Sequence, residues 1–128
     1  MAAGVEIQAG DVVLVRTGWM RYWDDRAAYQ GAESGLPGPD TSAAEWLVER
    51  RIRATGSDTD IYEVQTTHAG PIAVPAHTIL LTRGGIHIME MVNLEELARE
   101  RVYEFLFVTA PLKIVGGTGS PIRPLAIA

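Results

Sequence analysis

Glu90 is the only formal charge in the run Ile86-His-Ile-Met-Glu-Met-Val92. In extended backbone Ile86, Ile88 and Glu90 share one face, and His87, Met89 and Met91 share the other. A carboxylate in such a run must emerge at the end of the element, or be paired with a cation or an N–H donor. The plain alternative is that Glu90 reaches solvent or caps a helix beginning near Asn93. His77 is the second candidate, in the segment Pro75-Ala-His77-Thr-Ile-Leu-Leu81. If His77 and Glu90 meet at one end of a sheet, imidazole and carboxylate could share a divalent metal. A zinc or manganese centre usually takes about three or four protein ligands, so this pair is not a complete site.

The other histidines add little. His68 follows the polar stretch Gln65-Thr-Thr67 and reads as solvated, or as a further ligand. His87 lies between two isoleucines and reads as a packing or capping residue. Trp19, Tyr22 and Trp23 could form an aromatic wall for a small molecule, or simply cover the core. The stretch Gly116-Gly-Thr-Gly-Ser-Pro-Ile-Arg-Pro124 is glycine-rich without being a phosphate cradle. Lys113 precedes the glycines and no long helix follows, so both nucleotide-binding patterns fail. It reads as a tight turn tied down by Arg123. There is no Gly-x-Ser-x-Gly elbow, so a serine hydrolase has no support.

The elements that must position these residues alternate in type. Asp11 to Thr17, with its β-branched run, is a strand between Gly10 and Gly18. The aromatic segment from Trp19 to Tyr29 fits a short helix or an ordered loop. Gly31 to Asp40 is loop. A helix then starts with the Ser42-x-x-Glu45 spacing of a capping box and runs to about Ala54, with Gly56 as its stop. Arg50, Arg51 and Arg53 would complement its C-terminal dipole.

Ser57 to Val74 reads as a long polar connection. Residues 75–85 favour a short helix, with proline just inside its start and glycine beyond its end. A hairpin pairing His77 with Glu90 is the alternative. Ile86 to Val92 is a strand, and Asn93 opens a helix. Val102 to Thr109 and Leu112 to Val115 are further strands, and Leu125 to Ala128 is an edge strand. The class is α/β.

Composition removes several functions. The sequence holds 128 residues, 47% of them hydrophobic, which suits a single domain over 1–128 with its own core. Sixteen acidic against eleven basic residues give a net charge of −5, which argues against nucleic-acid phosphate as a partner. The absence of cysteine excludes disulfides, thiolate nucleophiles and Cys-based zinc sites. No apolar run approaches the roughly 20 residues of a membrane span, and Met1 to Gly10 lacks the pattern of a signal peptide. The expectation is a cytoplasmic protein with no membrane partner.

In order, these segments resemble the cyclase family of metal-dependent hydrolases, which includes bacterial kynurenine formamidase and isatin hydrolase. The matching residues are Gly10-Asp-Val-Val-Leu-Val-Arg-Thr-Gly-Trp19, Pro37-Gly38, Ala44-Glu-Trp-Leu47 and Gly56-Ser-Asp-Thr59. They continue with Val74-Pro-Ala-His77-Thr-Ile-Leu-Leu81, Gly85-Ile-His-Ile-Met-Glu90, Asn93-Leu94 and Pro111 to Pro124. The resemblance covers nearly the whole chain and implies a swivelling β/β/α fold. It also implies ancestry among zinc- or manganese-dependent hydrolases of cyclic or N-acyl amides. By position Glu90 looks like a metal-ligand carboxylate. His77 looks like a second-site metal ligand or a proton-handling histidine. The glycine-rich turn looks structural.

The family's His-x-Gly-Thr-His-x-Asp-x-Pro-x-His run, which supplies most metal ligands, lies upstream of the Gly-Asp strand. Here nine residues precede Gly10, and none is His or Asp. The resemblance is therefore to the C-terminal portion of the family domain, truncated on its N-terminal side. Three expectations follow. One is a catalytically incomplete, homo-oligomeric binding module. Another is an amidohydrolase site completed by another chain, such as a separately encoded N-terminal half. A small-molecule ligand against Trp19 and Trp23 is a third.

Overall fold

The computed structural model describes residues 4–66 and 73–128. They fall into two compact units, Glu6–Glu96 and Leu97–Ala128 with the N-terminal Gly4 and Val5. The larger unit is built on three parallel strands in the order β1-β2-β3: β1 is Val12–Val15, β2 Ala54–Ser57 and β3 His87–Met89. Val13 pairs with Thr55, and Thr55 with Ile88. The middle strand is buried throughout. Gly56 sits between Leu14 and Met89, and a Cβ there would lie 3.1 Å from a side-chain carbon of each.

The expected helix forms as α2, Thr41–Glu49, but its ends differ from expectation. Its N-cap is Asp40, not the Ser42–Glu45 box. Asp40 Oδ1 accepts from Ala43 N at 2.9 Å and from the Ser42 hydroxyl at 2.7 Å. Those bonds, the Ser42 hydroxyl first, hold the Asp40 carboxyl below its ordinary range. The helix stops at Glu49, with Arg51 left-handed at φ 54°, well short of Ala54. Gly10 N donates to Arg51 O and Arg53 N to Asp11 O, drawing this segment alongside β1. Gly56, expected as a helix stop, is therefore a strand residue, and Arg53 lies outside the helix.

A four-residue α1, Arg26–Tyr29, follows a 3-10 turn over Trp19–Tyr22. The segment 75–85 is helical, as favoured, and not a hairpin. Here α3, Pro75–His77, runs directly into a π-helical stretch over Thr78–Gly84, closed by Gly85. Ala76, Ile79 and Leu80 share one buried face, the three-and-four spacing of an amphipathic helix. They pack with Ala44, Leu47, Ile52, Tyr62 and Ile86 into the core. Asn93 Oδ1 accepts from Glu95 N at the start of α4, Glu95–Arg99, where the two units divide.

In the smaller unit β4, Leu106–Val108, pairs antiparallel with β5, Leu125–Ile127. The expected strand Leu112–Val115 does not form. Ile114 N bonds back to Leu112 O, Gly117 N to Ile114 O, and Leu112 N donates to the Ser120 hydroxyl. Its backbone groups are spent on local turns, not on a ladder. Arg123 makes no ion pair among the described residues, so the expected tie from this arginine to a carboxylate is absent. Among the described residues no helix is long and apolar enough to cross a membrane.

Candidate functional site

The stretch expected to be a polar connection begins inside the sheet and is rich in buried polar groups. Ser57, Asp58 and Thr59 are fully buried, as is Thr55 just before them, and Glu63 is 2% exposed. They leave the C-terminal end of β2, the edge at which parallel α/β sheets commonly hold ligands. Asp58 accepts from Thr17 N, the Thr17 hydroxyl, Gly18 N and Trp19 N, all within 3.0 Å. One carboxylate thus fixes the turn that follows β1. The Tyr29 hydroxyl donates to Asp58 O at 3.0 Å. Burial, then the charges of Asp60, Asp58 and Glu90, push the Tyr29 phenol up to about 12.

Tyr62 and Glu63 hold the two expected site residues. The Thr55 hydroxyl donates its only proton to Val13 O, so the Tyr62 hydroxyl, 2.8 Å away, donates to Thr55. Burial raises the Tyr62 phenol above its ordinary value and keeps it neutral. Tyr62 N donates to Glu90 Oε1 at 2.8 Å. Its ring meets that of His77 edge-on at 6.3 Å. Glu63 Oε2 accepts from Ala76 N, and its Oε1 accepts from His77 N, both at 2.9 Å. His77 Nδ1 lies 2.7 Å from Glu63 Oε1, and His77 Nε2 lies 3.3 Å from Glu90 Oε1.

His77 and Glu90 are thus brought together, with an imidazole suspended between a buried and a half-buried carboxylate. Such a group can carry a proton between Nε2 and a neighbouring acceptor. Among the described residues no three His, Asp or Glu side chains converge to hold a metal. Glu63 has both oxygens committed to N–H groups, which leaves His77 Nε2 and Glu90 as two facing donors. That set falls short of a zinc or manganese centre on its own.

His68 lies outside the described residues. His87 is exposed on β3. Trp19 donates through Nε1 to Tyr29 O and stacks edge-on against Tyr22. Trp23 is 55% exposed and meets Tyr29. Among the described residues neither tryptophan makes a ring or hydrogen-bond contact with His77 or Glu90. Sequence reasoning missed Glu63 and Asp58 because it missed β2. The available signal was the cluster of carboxylates after Gly56-Ser57, which marks polar groups without showing the strand that leads to them.

The larger unit thus joins a parallel α/β sheet to a carboxylate–histidine–carboxylate row. The sequence pattern of the family described as "Putative cyclase" matches residues 1–64, and the chain belongs to that family. It is 35% identical over 125 residues to the isatin hydrolase of Roseibium aggregatum, covering 95% of this chain and 46% of that protein. A crystal structure of a novel cyclase superposes with a TM-score of 0.82 at 28% identity, over 98% of this chain and 43% of the other. A potential metal-dependent hydrolase with cyclase activity gives a TM-score of 0.67 at 27% identity, over 96% and 53%. The α/β fold is therefore that of the cyclase domain. The chain spans about half the length of the relatives it matches.

Proposed function

We propose that these 128 residues contribute the proton-handling half of an amidohydrolase site and are catalytically incomplete by themselves. The observation that carries this reading is the Glu63–His77–Glu90 row, in which an oriented imidazole faces one further donor and, among the described residues, no third. Glu63 orients the ring, His77 Nε2 handles the proton, and Glu90 lies on its far side. The remaining donors come from polypeptide other than these residues, and the substrate class is a cyclic or N-acyl amide, as the likeness to an isatin hydrolase suggests.

The test is turnover of isatin and N-formylkynurenine, with elemental analysis after dialysis against zinc or manganese. The chain alone should show neither turnover nor a stoichiometric metal. Mixed with a polypeptide carrying the His-x-Gly-Thr-His-x-Asp-x-Pro-x-His run, it should show both. In that mixture His77→Asn should lower turnover by about 10²–10⁴-fold, the usual contribution of a positioned acid–base group. One metal ion per isolated chain, or no turnover with the complementary polypeptide, would overturn the reading.

A second reading concerns assembly, and one observation favours it. On the β4–β5 ribbon Leu106 pairs with Ile127 and Val108 with Leu125, and all four are exposed. An open groove of about 560 Å³ beside them is lined mostly by apolar side chains, with Thr109 and Arg123. A two-stranded ribbon with a bare apolar face is marginal in water. Pairing with a second copy of the chain covers it. Sedimentation velocity should show a dimer or larger species for the wild type and a monomer for Leu106→Lys. A wild-type monomer overturns this reading.

A further inference from the structure

We propose that Glu63 is a positioning residue that fixes the tautomer of His77, placing the ring proton on Nδ1 and the lone pair on Nε2. The inference rests on the reading of His77 as the proton-handling group. Both oxygens of Glu63 already accept backbone N–H groups, Oε2 from Ala76 and Oε1 from His77 itself. A carboxylate used in this way offers only acceptor capacity to a third partner, so Nδ1 must be the donor in the 2.7 Å contact. The length is that of a charge-assisted bond, and it lies out of water, since the Glu63 side chain is 2% exposed.

The second ring nitrogen inherits the consequence. With Nδ1 protonated, the neutral ring presents an electron pair at Nε2, 3.3 Å from Glu90 Oε1, so two acceptors face each other and a shared proton or a cation between them relieves their repulsion. Glu90 cannot swing freely away, because Tyr62 N donates to that same oxygen. The Tyr62 ring edge limits rotation of the imidazole. A free histidine side chain in neutral form favours the proton on Nε2, which would block this face. Glu63 reverses that preference, and the His77 side chain keeps 22% of its surface exposed.

The experiment is nitrogen-15 NMR of the imidazole rings in the full 128-residue chain, at a pH where histidine rings are neutral. His77→Asn identifies the signals by removing them. The wild type should show Nδ1 protonated, with that proton protected from exchange, and Nε2 unprotonated. Glu63→Ala, checked for a cooperative melt, should lower the Nδ1–H to Nε2–H ratio about tenfold or more, the equivalent of one charge-assisted hydrogen bond.

A wild-type ring protonated on Nε2 overturns the proposal, and so does a Glu63→Ala ring that stays Nδ1–H. Should Glu63→Ala not fold, Glu63→Gln replaces it. Its amide oxygen can still accept from Nδ1 without the charge, so the Nδ1–H resonance should move upfield; an unmoved resonance overturns the proposal. None of these outcomes depends on turnover. An Nδ1–H ring without turnover beside the complementary polypeptide therefore overturns the proposed function alone.

Discussion

Asp58 is the residue on which the turn after β1 depends, because its carboxylate is the acceptor for three successive backbone N–H groups. Asp58→Ala strands those donors in a site with no exposure. It should cost about 3–5 kcal/mol, read as a lowered urea midpoint, with Asp58→Asn costing less. Tyr29 makes a prediction about pH. Its folded value is raised from 10.0 to about 12, chiefly by burial, so the neutral phenol is favoured by folding. The stabilisation is fully present below pH 10 and is lost as pH rises through about 12. Denaturation midpoints across that window should fall more steeply for the wild type than for Tyr29→Phe.

Elements decide whether such residues meet. The loop before α2 approaches the site segment so closely that a Cβ on Gly38 would lie 2.5 Å from Tyr62 O and 2.8 Å from the Glu63 carbonyl carbon. Backbone cannot yield cheaply at that range. Gly38→Ala should therefore cost about 2–4 kcal/mol, whereas Gly119→Ala, with open space around it, should stay within about 0.5 kcal/mol. Thermal melts of the two variants make the comparison.

Sequence patterns made some of these elements legible and hid others. The β-branched run of β1 and the proline–glycine bracket around residues 75–85 carry their own signals. So His77 and Glu90 could be named, and they lie 3.3 Å apart. β2 could not be read, because Ala-Thr-Gly-Ser has little strand propensity and is extended only by pairing on both sides. With it went Asp58 and Glu63, whose burial depends on leaving that strand. Leu112–Val115 shows the converse: apolar β-formers without a neighbour make no strand.

For the whole molecule, the larger unit contains the buried core and the site, and the smaller one displays its apolar residues. Leu106 is 62% exposed, Ile127 54% and Val115 fully. If those surfaces pair between copies, stability becomes a matter of mass action. The melting midpoint should then rise with protein concentration for the wild type and be independent of it for Leu106→Lys. A wild-type midpoint that ignores concentration counts against self-association. The chain covers 46% of the isatin hydrolase it resembles, and the larger unit carries the Glu63–His77–Glu90 row.

Among the described residues, the groups that grip His77 or Glu90 come from one stretch of chain, Thr55 to Glu90: Tyr62 through its N–H and ring, Glu63 through its carboxylate. That locality makes the row portable. Gene fission, fusion or grafting that moves this stretch with its supporting strands carries the imidazole and both carboxylates in mutual register. Inheritance can therefore move this stretch without scrambling the row, and a designer can set other donors beside it.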